Sequence, residues 1–142
     1  MTDNAGSGFR SRAQLIAYWV TTGALVVELA WGGVWDILRV PDVRNLTERL
    51  GYPDYFLVIL GIWKVLGAVA LMVPRFPRLK EWAYAGAFFD LTGAFFSQWA
   101  TGLISVGTTA YPMLMVGVVV ASWALRPASR RLDAGGVLSK MG

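Results

Sequence analysis

Glu28, Lys64 and Asp90 each interrupt an otherwise apolar run of this chain. A lone charge near the centre of a membrane costs on the order of 2.5–3.5 kcal/mol on insertion scales. Three unpaired ones would cost about 8–10 kcal/mol, comparable to the whole stability of a small protein. Pairing across helices is therefore expected, with the long lysine stem able to reach either carboxylate. Two acids and one base leave either one net negative charge or one protonated acid, and that spare proton is the main hint of acid–base chemistry. The alternative is structural, a pairing that fixes helix register. Asp36 is read as lying outside this network, at the outer interface beside Arg39.

Other chemistries are excluded by residue type. The chain has no Cys, which removes disulfides, thiolate nucleophiles and iron–sulfur ligation, and no His, which removes the usual general base and the commonest zinc ligand. No metal site and no evident cofactor are expected. Trp31, Trp35 and Trp63 lie near the charged positions, and with Ser97 and Gln98 they are candidate pocket lining. Ordinary packing is an equal reading of the three rings. Trp19, Trp82, Trp99 and Trp123 fall towards span ends and read as interfacial anchors.

The elements that must position these groups follow from composition. Of 142 residues, 56% are hydrophobic and only 15% charged, against about 25% charged in a soluble domain, so the chain lacks the polar surface to cover itself. Four stretches, 13–38, 55–73, 82–100 and 106–125, approach the roughly 20 residues needed to cross a bilayer. The first is too long for a signal peptide and carries Glu28 and Asp36. Pro112 lies inside the fourth, which predicts either a kink there or a helix beginning near Tyr111. Residues 1–12 and 127–142 read as polar tails. The expectation is an all-α, up-and-down transmembrane four-helix bundle.

Charge sets the orientation. Arg10, Arg12, Arg75, Arg78, Lys80, Arg126, Arg130, Arg131 and Lys140 share one side, while Arg39, Arg44 and Arg49 lie on the other. The bias places both termini in the cytoplasm. It also explains the net charge of +4 through basic loops, without a nucleic-acid partner. In the first outer loop, Val43, Leu46 and Leu50 fall on one face ahead of Gly51, which predicts a short amphipathic helix. That helix reads as a lid over the bundle or as a connector on the membrane surface. On the third span, Asp90 shares its face with Gly86 and Gly93, and small residues mark where membrane helices meet. Those two glycines are therefore expected at a helix–helix contact.

The residues from Leu50-Gly51-Tyr52-Pro53-Asp54 through Gly61-Ile62-Trp63-Lys64 to Pro74 resemble the second helix of the DoxX-like family of small bacterial membrane proteins. The stretch from Pro77 to Gly86, followed by Phe89-Asp90-Leu91-Thr92-Gly93-Ala94, is similar to that family's third helix, and Gly33-Val34-Trp35-Asp36 with Pro41 to the end of its first. The resemblance runs from about Tyr18 to Arg126. It implies a four-helix protein of the bacterial inner membrane, associated through named relatives with redox or thiosulfate–quinone complexes. One departure matters: family members carry a Ser-His pair late in the third helix and then Gly-Asp, whereas here Gln98 follows Ser97 and Leu103 follows Gly102. A histidine-dependent role does not carry over.

Three functions fit these residues. The first is an accessory subunit of a membrane redox complex, or a small binding module for a quinone or other apolar ligand. The second is an enzyme acting on a lipophilic substrate, with Glu28 or Asp90 as acid–base group. The third is a proton-coupled exporter, disfavoured by the strong charge bias and by three intramembrane charges instead of one. A homo-oligomer is compatible with each, and the bilayer is the shared partner.

Overall fold

The computed structural model describes residues 3–127, with side chains from Ser11 onward. Five helices occupy them: α1 (Asp3–Leu38), α2 (Pro41–Arg49), α3 (Asp54–Met72), α4 (Pro77–Ala100) and α5 (Val106–Ala124), with no strand among the described residues. Three helices are long and apolar enough to cross a membrane: Ser11–Leu38 of α1, then α3 and α5. The exterior fits that solvent. Ile16, Val20, Val27, Trp63, Trp82 and Phe89 are all exposed, a surface that water would not tolerate and hydrocarbon does.

Helix ends fall where local chemistry stops them. Gly51 and Gly102 take positive φ just past α2 and α4, and paired backbone bonds close both ends: Gly51 N–H to Glu48 with Tyr52 N–H to Thr47, and Gly102 N–H to Trp99 with Leu103 N–H to Gln98. The end of α1 has the same pattern with Arg39 in the left-handed position. Ser105 caps α5 in a reciprocal pair with Thr108. Pro112 therefore does not start α5. It sits within the helix, where it removes one backbone donor and brings its ring against the carbonyl of the preceding turn.

Two boundaries differ from the sequence reading. Helix α1 begins at Asp3, so most of the expected N-terminal tail is helical. Helix α4 begins at Pro77, a full turn before residue 82, because proline is favoured in the first helical turn. The expected C-terminal tail lies outside the described residues from 128 onward.

Packing closes a ring. Helix α1 packs against α3 and α5, and α4 packs against the same two. Successive partners run antiparallel: Gly33 meets Gly61, Lys64 meets Asp90, and Tyr84 meets Ser122. The core inside the ring contains Leu25, Leu29, Leu71, Leu91, Met115 and Val119.

Candidate functional site

The tightest helix contact builds the site. A Cβ added at Gly33 would stand 2.8 Å from the Gly61 carbonyl oxygen, and one added at Gly61 would meet the Gly33 carbonyl and Ile37. Only glycine permits this approach of α1 to α3. Three residues on from each glycine lie Asp36 and Lys64, which the close approach brings together. Lys64 Nζ is 2.9 Å from Asp36 Oδ2 and 3.5 Å from Asp90 Oδ2, and all three side chains are largely shielded. Asp36 is thus the nearer partner of Lys64 and lies inside the network, not outside it. The expected separation fails because Arg39 turns away in the left-handed position that ends α1, while Asp36 still lies on the face towards α3.

Glu28 lies two turns before Asp36 on α1 and accepts a hydrogen bond from the Tyr111 hydroxyl of α5. Tyr111 is the residue beside Pro112, and sequence reasoning gave it no part in the site. Nothing in its immediate sequence distinguishes it from an ordinary interfacial tyrosine.

These groups line a cavity of about 310 Å³. Glu28, Asp36, Lys64 and Asp90 form its polar wall, and Ser97 and Gln98 of α4 extend it. The Ser97 hydroxyl is 2.8 Å from that of Tyr52, which ties the α2–α3 connection to α4. Gln98 is only 5% exposed, and its Oε1 has no hydrogen-bond partner among the described residues. Helix α2 covers the cavity with Val43, Leu46 and Leu50, the apolar face read from the sequence, and Thr47 joins them. Trp31 and Trp35 do not line the cavity. Their rings pair with each other, centroids 5.9 Å apart, on the exposed face of α1.

A second space meets the first at Lys64 and Asp90. It is a cleft of about 260 Å³ between α3 and α4, walled by Leu60, Leu66, Ala70, Leu79 and Ala83 and flanked by the exposed rings of Trp63 and Trp82. Gly86 lines this cleft and Gly93 lines the polar cavity. A Cβ at either would meet nothing within 4 Å, so neither marks the close helix contact expected of them. Their smallness makes space instead of contact.

At the opposite end of the ring lies a second polar cluster. The Ser122 hydroxyl is bonded to both Thr22, at 2.7 Å, and Tyr84, at 2.8 Å. Arg126 pairs with Glu81 at 2.7 Å and lies over the rings of Tyr84 and Trp123. Lys80 is 1% exposed and donates to the carbonyls of Ala70 and Leu71, satisfying acceptors left open at the end of α3. Both cations read from the sequence as loop charges. The available signal was the position of Lys80 three residues after Pro77, within the first turn that the proline begins.

Chemically, the site offers three carboxyl groups, one ammonium and two phenols around a polar cavity, joined to an apolar cleft that opens on the outer surface of the ring. Acid–base groups and hydrogen-bonding groups are present, but no Cys or His is available as nucleophile or ligand. A model of the DoxX-like family matches residues 20–122. No curated protein and no solved structure matches the chain.

Proposed function

The chain belongs to the DoxX-like family, and from that premise we propose that it is a binding module of the bacterial inner membrane for a lipophilic, quinone-like molecule held between α3 and α4. One observation carries this reading. The apolar cleft between those helices ends on the Lys64–Asp90 pair, so an apolar body and a polar head would each find a matching surface. The Lys64 ammonium donates to a ligand oxygen, and Trp63 and Trp82 border the mouth through which the ligand enters from lipid. Kinship with redox-associated proteins supports a role as an accessory subunit of a membrane complex.

In this reading α4 is the fourth crossing of a four-helix bundle. Its charges are unusual for a span, yet three of the four are engaged: Lys80 on the end of α3, Glu81 with Arg126, and Asp90 with Lys64, while Arg78 is exposed in the first turn. Both termini face the cytoplasm and α2 lies at the outer surface, as the distribution of Lys and Arg favours.

Titration of a short-chain quinone into the purified chain, followed by quenching of tryptophan fluorescence, tests the proposal. Saturable quenching that falls at least threefold in amplitude when Trp63 and Trp82 are replaced by Phe is expected. Quenching that does not saturate would overturn it.

A further inference from the structure

The polar cavity under α2 meets the cleft that takes the apolar ligand at Lys64 and Asp90, but the rest of its lining has a different chemistry. Glu28, Asp36 and Asp90 face the single ammonium of Lys64, so the ionised lining carries an excess of two negative charges. Gln98 adds a buried amide whose oxygen accepts from nothing among the described residues. A buried acceptor without a donor is costly, and a bound donor would remove that cost. Four aromatic rings complete the wall: Tyr52 and Phe56, stacked at 4.5 Å, with Phe89 and Tyr111. Carboxylates together with aromatic faces are the combination that recognises organic cations, since both the negative charge and the ring quadrupole attract an ammonium while the rings accept its alkyl groups.

We infer that the cavity beneath α2 is a binding site for a small organic ammonium ion. Lys64 does not oppose this, because Asp36 and Asp90 flank its ammonium on both sides. Glu28 is the carboxyl left to face the guest, since its partner among the described residues is the neutral Tyr111 hydroxyl. The size is appropriate: about 310 Å³ holds an ammonium with a few carbons.

The test is calorimetric titration of the full chain in detergent with n-butylammonium, repeated in excess n-butanol, which matches the alkyl group without the charge. Saturable binding that butanol does not displace is the expected result. No saturable binding, or equal binding of butanol, would overturn the inference. Glu28→Gln keeps an acceptor for Tyr111 and removes one charge; it should weaken butylammonium at least tenfold, and an affinity within twofold of the unaltered chain would also overturn it. Because neither probe resembles a quinone, failure here leaves the quinone titration to decide the α3–α4 cleft on its own.

Discussion

At the scale of single residues, Lys64 holds the site together. Its ammonium lies between Asp36 and Asp90, which reside on different helices, so one side chain ties α1, α3 and α4. Burying an ion pair is roughly neutral against a well-packed apolar replacement, but removing one partner strands the other and costs about 3–5 kcal/mol. Lys64→Met is therefore expected to destabilise the protein by about that amount, while adding Asp36→Asn should recover a substantial part of the loss. Chemical denaturation in detergent reads both. A double variant that is no more stable than Lys64→Met would show that the two side chains do not depend on each other. The sequence shows Lys64 and Asp90 as paired intramembrane charges because each stands alone in an apolar run. It hides Asp36, which lies three residues before Arg39, since only the tight turn after α1 decides which way each of them points.

At the scale of helices, the glycines divide into two kinds that look alike in sequence. Gly33 and Gly61 let two backbones touch, whereas Gly86 and Gly93 leave room beside α4. Small-residue spacing locates Gly86 and Gly93 on an inward face, but the distance to the neighbouring backbone is a property of the assembled pair. Gly61→Ala should drive its new methyl into the Gly33 carbonyl and lower thermal stability clearly. Gly86→Ala should be neutral or stabilising, by up to about 1 kcal/mol, because alanine favours the helix and the methyl enters open space. Equal effects of the two substitutions on the melting temperature would contradict this division. The same reasoning explains why α2 was legible as an amphipathic helix, from Val43, Leu46 and Leu50, while the choice between cover and surface connector was not: the cavity it covers is made by other helices.

At the scale of the whole molecule, three helices satisfy the length and apolarity of a membrane span, and α4 completes the ring with Lys80, Glu81 and Asp90 engaged. The proposed orientation predicts which surfaces meet water on each side. Asn45→Cys on the exposed face of α2 should react with an impermeant thiol reagent in intact cells, and Arg78→Cys at the start of α4 should react only after the membrane is opened. Preferential labelling of Arg78→Cys in intact cells would invert the topology. The central claim is that the α3–α4 cleft holds a lipophilic molecule against Lys64 and Asp90. Mass spectrometry of the small molecules that stay with the chain through mild-detergent purification tests it most directly, comparing the unaltered protein with Gly86→Leu, whose side chain fills the cleft without meeting a backbone. The account predicts a quinone-like compound retained at near-stoichiometric level by the unaltered chain and at least tenfold depleted in Gly86→Leu. The absence of any such compound from the unaltered chain, or its equal retention by a folded Gly86→Leu, would contradict the account.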